Sequence, residues 1–171
     1  MNIDQDALNT LLAKDAIREL VALYSRGVDR KDPALLRDLY THDATDTHGD
    51  TFDGCAEDYV DFLENAFPYM RYSGHHICNH LISVNGNEGE GEVYALAYHI
   101  IPDRSGGWIE DTMAVRYIDR YRKEDDGRWR FAQRVVSYDL RSQRPVTPTE
   151  SAPDPSATLL SSALFARGAR H

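Results

Sequence analysis

Cysteine is scarce: Cys55 and Cys78 are the only two among 171 residues. They lie far apart without CxxC spacing, so neither a disulfide framework nor a zinc or thiol-redox motif is expected, and both read as small, reduced hydrophobic side chains. Long apolar runs are missing as well, and nothing approaches the roughly 18 consecutive apolar residues that a membrane-spanning helix requires. Positive charge is outnumbered, with 19 Lys and Arg against 28 Asp and Glu and a formal net charge of −9. Such a surface repels phosphate backbones, so nucleic acid is not an expected partner. The opening MNIDQDALNT has neither a cationic nor an apolar signal region, and the chain is therefore expected in the cytoplasm, away from membranes. Internal repeats are absent.

What remains is a chain of ordinary globular composition, 42% hydrophobic and 27% charged, long enough for one domain with a real core. From about Asp4 to Asp29, Leu8, Leu11, Leu12, Ile17, Leu20, Val21, Leu23 and Tyr24 recur at steps of three and four, which predicts an amphipathic helix that Gly27 weakens or stops. Pro33 suits the start of a short second helix over Ala34–Tyr40. The turn-rich piece THDATDTHGDTFDG predicts a short hairpin, and a third helix follows from Cys55 or Ala56 to about Asn65. Beyond Ser73 the apolar period becomes two, giving four long strands over about 75–84, 90–101, 109–123 and 128–140. Their separators are short and rich in Gly, Asn and Asp, which predicts an antiparallel meander. Helices first and a curled sheet afterwards is an α+β layout in which three helices cover one concave face. The domain is expected over 1–144. Residues 145–171 read as a proline-rich linker and a short tail or amphipathic helix from Leu159, Leu160, Leu164 and Phe165.

Several residues on this plan could carry chemistry. Asp29 ends the first helix, five positions after Tyr24. The first long strand opens Gly74-His75-His76-Ile77-Cys78-Asn79-His80, and strict alternation puts His75, Ile77 and Asn79 on one face and His76, Cys78 and His80 on the other. A zinc reading of these histidines fails on distance, since His76 and His80 would stand about 13 Å apart on an extended strand. His99 lies near the end of the next strand, beside Ala97, and both are candidates for the lining of a pocket that would include Val93 and Ala95. Arg134 interrupts the apolar alternation of the last strand and, if enclosed, needs an anionic partner or a substrate oxygen.

Together these pieces resemble the SnoaL-like branch of the nuclear-transport-factor-two-like superfamily, in particular its group of scytalone dehydratase, bile acid 7α-dehydratase and hexachlorocyclohexane dehydrochlorinase. The carriers are Ala16-Ile17-Arg18-Glu19-Leu20 with Tyr24 and Asp29, the Gly74-His75-His76-Ile77-Cys78-Asn79 strand start, and the hairpin from Tyr117 to Phe131. The resemblance spans roughly Leu8 to Arg144. It implies a cone-shaped curved sheet and an Asp–His pair formed by Asp29 and His75, with His75 as base and Asp29 fixing its tautomer. It also implies Tyr24 and Arg134 beside the oxygen that gains charge, and His99, Asn79 and Ala97 as substrate contacts. No cofactor is implied. The dehydrochlorinase carries Lys where Tyr24 stands here and Cys where Ser73 stands, so loss of an oxygen leaving group is expected rather than chloride. The expected function is a cofactor-independent lyase, releasing water or a small aldehyde from a small hydrophobic, hydroxylated aromatic or polycyclic substrate. An isomerase or cyclase, or a binding module without catalysis, are the alternatives the same fold allows. Apolar residues Tyr94, Leu96, Tyr98 and Ile100 on the outer sheet face imply an interface, and by resemblance a homotrimer or homodimer.

Overall fold

The first helix, α1 (Gln5–Asp29), starts where the Asp4 carboxylate accepts the backbone N–H groups of Asp6 and Ala7, two donors that no helical carbonyl can reach. The computed structural model describes residues 4–150, and the expected C-terminal tail from residue 151 onward lies outside them. Gly27 does not stop the helix. It serves close approach: a methyl group at its Cα would sit 2.7 Å from Cδ2 of the fully buried Leu36. The chain then reverses through Lys31 at φ 55°, and Asp32 caps α2 (Pro33–Asp38) by accepting the Leu35 N–H. This second helix is shorter than expected. Leu39 and Tyr40 leave it because the Leu39 carbonyl accepts the N–H of Phe131 at 2.9 Å and Tyr40 opens a strand.

Strands β1 (Tyr40–His48) and β2 (Phe52–Cys55) form the expected short hairpin, followed by α3 (Ala56–Ala66) and a single 3₁₀ turn (Phe67–Tyr69). The four long strands are β3 (Tyr72–Asn85), β4 (Glu88–Pro102), β5 (Trp108–Lys123) and β6 (Trp129–Val146), two residues past the expected domain end. They meander antiparallel as their turns predicted. The complete sheet has the order β2-β1-β6-β5-β4-β3, and β1 runs parallel to β6, so the sheet is mixed rather than wholly antiparallel. A parallel pair needs a long crossover, and here it is everything between β1 and β6. The three helices bury one face of the curved sheet in an α+β arrangement, with Ile17, Val21, Tyr24, Val60, Val93, Val115, Tyr117 and Phe131 in the core.

Two bulges decide which side chains point inward. In β3, Ile77 pairs with Ala95 but His80 pairs with Val93, so one extra residue enters the strand between them. Alternation is reset. His80 joins the inner face with Ser73, His75 and Ile77, while Asn79, expected beside His75, is exposed. In β6 a second bulge at Ala132 lets Phe131 and Arg134 both face the core, with Arg134 directly opposite Asp119 of β5.

Candidate functional site

Asp29 and His75 meet. The last residue of α1 reaches the start of β3, where Asp29 Oδ2 accepts the backbone N–H of His75 at 3.0 Å and Oδ1 lies 2.7 Å from His75 Nδ1. Ser73 adds a third bond, its hydroxyl donating to Oδ1 at 3.0 Å. Burial pushes the Asp29 carboxyl up, but the ring and backbone bonds from His75, its charge and the Ser73 hydroxyl outweigh that and hold it below the ordinary 3.8. Asp29 is thus a carboxylate that can only accept, so Nδ1 of His75 is the donor, and in the neutral ring it is Nε2 that carries the lone pair. The His75 side chain is 7% exposed, so this lone pair sits in an environment where water competes little.

His99 stands next to the pair, its ring 5.4 Å from that of His75 at an angle of 61°. Burial is the main cause that pushes it down from 6.5 to about 4, the charge of His75 adds to this, and Asp111 and Asp29 oppose it. Although the residue as a whole is half-buried, its Nε2 is sealed from solvent and has no hydrogen-bond partner among the described residues. A buried polar atom without a partner costs free energy, and one beside an acid–base pair is suited to a ligand oxygen. Ala97 is buried and lies directly across from His75 in the β3–β4 register.

Tyr24 and Arg134 come together elsewhere. Arg134 is fully buried and binds Asp119 through Nε at 2.8 Å and Nη2 at 2.7 Å, while its guanidinium lies 4.2 Å from the Tyr24 ring centre and 4.1 Å from that of Phe131. Its remaining Nη1 has no partner among the described residues. The ladder sets His75 level with Ala97 and Met113, and Arg134 level with Asp119. Those two β5 positions are separated by about 20 Å of extended strand. The Tyr24 hydroxyl lies 3.0 Å from that of Tyr59 and 3.4 Å from His48 Nε2. His48 Nδ1 in turn bonds Asp46, which also accepts the Tyr40 hydroxyl at 2.7 Å. The sequence pattern puts Asp46 and His48 in a hairpin and assigns them no role. The usable signal is their spacing of two on a strand, which puts both side chains on one face. Among the described residues no group of three His, Cys, Asp or Glu is arranged to hold a metal ion, and no helix is long and apolar enough to cross a membrane.

Comparison with known structures finds the same fold repeatedly. A scytalone dehydratase candidate from Novosphingobium aromaticivorans DSM 12444 superposes with a TM-score of 0.70 at 24% identity, covering 83% of this chain and 96% of that one. The hexachlorocyclohexane dehydrochlorinase LinA-type3 of Novosphingobium barchaimii LL02 gives 0.69 at 20% identity, covering 84% and 97%. A single-residue variant of Rv3472 of Mycobacterium tuberculosis, a protein of unknown function, gives 0.62 at 21% identity, covering 75% and 77%. No curated protein matches the sequence. Residues 9–135 match the SnoaL-like domain, and with the three helices and curved sheet described above the chain belongs to the SnoaL-like family.

Proposed function

We propose that the protein is a cofactor-independent lyase in which His75 removes a proton from a small hydroxylated aromatic or polycyclic substrate, and a neighbouring carbon loses water or a small aldehyde. The observation that carries this reading is the Asp29–His75 pair, with Nδ1 committed to a carboxylate, Nε2 free to accept a proton, and the unpartnered Nε2 of His99 beside it. In the dehydration case the C–H electron pair becomes the new C=C bond. The C–O bond breaks toward oxygen, and the departing hydroxyl leaves as water after taking a proton. Asp29 stabilises the imidazolium that forms, as carboxylates do in other Asp–His pairs. His99 stays neutral at physiological pH, because burial holds it at about 4, and so places no second cation against that imidazolium.

The role of the other polar residues follows from their placement. Ser73 and the backbone N–H of His75 fix the Asp29 carboxylate, so its geometry does not depend on the ring it orients. Arg134 has two of its three nitrogens committed to Asp119 and lies about 20 Å along the sheet from His75, so its guanidinium supports the Tyr24 ring it lies against rather than the oxygen lost beside His75. Mass spectrometry of reactions with hydroxylated diaryl and polycyclic compounds tests the reading. A lyase gives either a conjugated alkene with one equivalent of water or, where the O–H proton is taken and the C–C bond breaks, one equivalent of aldehyde with the released carbon reprotonated, the two products rising at equal rates. A product of unchanged mass from every substrate turned over would replace the lyase with an isomerase, and binding without product would leave a binding module.

A further inference from the structure

Asp46 and His48 share the inner face of β1, and Asp46 is fully buried. The His48 ring stacks on Tyr59 with centres 4.4 Å apart at 19°, its Nδ1 bonds the Asp46 carboxylate, and its Nε2 lies 2.9 Å from the Tyr59 hydroxyl. Tyr59 continues to Tyr24 at 3.0 Å, and the Tyr24 hydroxyl also lies 3.4 Å from His48 Nε2, so four side chains from β1, α3 and α1 form one hydrogen-bonded cluster. Each tyrosine has a single proton to give, and the 2.9 Å contact from Tyr59, shorter than the 3.4 Å from Tyr24, makes Tyr59 the donor to His48 Nε2. With Nδ1–H committed to Asp46, a neutral His48 must accept at Nε2. Tyr59 then donates to His48 and Tyr24 donates to Tyr59, so the Tyr24 proton is spent inside the cluster. Adding a proton to Nε2 reverses every bond, and the Tyr24 proton is freed for another acceptor.

We propose that Asp46, His48, Tyr59 and Tyr24 form a second acid–base relay, separate from Asp29–His75, that delivers a proton from His48 to an oxygen of a bound phenolic or alcoholic ligand. The transfer balances: Nε2–H of His48 passes to the Tyr59 oxygen, the Tyr59 proton to Tyr24, and the Tyr24 proton to the ligand oxygen. His48 ends neutral and both tyrosines end as they began. Burial raises Tyr24 and Tyr59 above the ordinary value of 10, and Asp46 adds to both, so they conduct a proton without resting as phenolates. The surrounding charges favour this. Arg134 of β6 is paired with Asp119 of β5, which leaves the Asp46 carboxylate as the charge bonded to His48. Tyr40 donates to Asp46 from the same strand, Tyr138 of β6 and Tyr117 of β5 contribute neutral phenols, and Asp53 of β2 is engaged by Thr47 instead. In turnover the relay would serve the departing oxygen while His75 takes the carbon-bound proton, a role that rests on the lyase reading; the relay itself does not.

The test uses 4-nitrophenol as the probe and the full chain, at a mildly alkaline pH where the probe is a phenolate and free imidazole is neutral. Titration calorimetry in two buffers of different ionisation enthalpy counts the protons taken up on binding. The wild type is expected to take up one proton per phenolate. His48→Gln and the isosteric Tyr59→Phe are expected to take up none and to bind about tenfold more weakly, the loss of one charge-assisted hydrogen bond. The absorption spectrum of the bound probe should be that of neutral 4-nitrophenol, with His48 neutral by side-chain ¹⁵N NMR, which keeps the test open if a variant fails to fold. Binding without proton uptake, uptake retained in His48→Gln, a bound probe that stays a phenolate, or no binding at all would overturn the relay. Protonation of the bound probe without turnover of any hydroxylated substrate would keep the relay and sink the lyase, and turnover with the bound probe left as a phenolate would do the reverse.

Discussion

Lowering the pH from 7 to 5 should destabilise this protein through its buried histidines, His99 above all. Burial holds His99 at about 4 in the folded chain against 6.5 for an ordinary imidazole. Between those values the unfolded chain binds a proton at this position that the folded chain does not. Stability is therefore fully present above 6.5 and falls as the pH drops, until below about 4 both states are protonated and the loss stops. The full interval corresponds to about 3 kcal/mol, and about 2 kcal/mol of it is already lost at pH 5. Urea denaturation followed by circular dichroism at pH 7 and pH 5, for wild type and His99→Gln, isolates the effect. His80 is also lowered by burial and acts in the same direction, but it is present in both chains and cancels. Asp29 and Asp111, held below the ordinary 3.8 against the opposing push of burial, titrate outside the window. His99→Gln should reduce the loss between pH 7 and pH 5 by about 2 kcal/mol. Equal losses in both proteins would refute the argument that burial keeps His99 neutral.

Other consequences follow from packing. Arg134 and Asp119 are both fully shielded from solvent, so Asp119→Asn should cost about 3–5 kcal/mol in the same denaturation assay, because it leaves a buried guanidinium uncompensated. Gly27→Ala should cost about 1–3 kcal/mol, since the new methyl group would meet the fully buried Leu36 at 2.7 Å; an unchanged midpoint would show that α1 and α2 pack less tightly than this contact requires. On the face of the sheet away from the helices, Leu81, Tyr94, Leu96, Ile118, Val135 and Leu140 are each at least 36% exposed. Apolar surface of this extent is costly in water, so light scattering at micromolar concentration should give the mass of a dimer or trimer, and a monomer would contradict it.

The helices and the long strands are legible in the sequence because each rests on a local signal, whereas the Asp29–His75 pair, 46 residues apart, is expected from the family resemblance. Leu20, Val21 and Tyr24 mark the buried face of α1 by their spacing. Val93, Ala95 and Ala97 do the same for β4 with a period of two. The features that escape depend on contacts distant in sequence or on breaks in a pattern. Nothing in Ile77-Cys78-Asn79-His80 announces an extra residue, yet that bulge moves His80 inward and sends Asn79 out to solvent. The parallel pairing of β1 with β6 joins segments more than eighty residues apart, and it is what sets Asp46 beside Arg134. Arg134 itself stands out in the sequence as a charge needing a partner, but its partner Asp119 can be found only once the bulge at Ala132 has fixed the register.

The most direct test of the account is a comparison of wild type with His75→Ala on a hydroxylated aromatic substrate that the wild type converts. Circular dichroism and ligand affinity are measured alongside to show that fold and binding persist. The account predicts that His75→Ala retains both but forms no alkene and releases no water or aldehyde, because the ring nitrogen that Asp29 orients to take the proton is gone. Full turnover by His75→Ala, in a protein that still folds and binds, would contradict the assignment of His75 as the base.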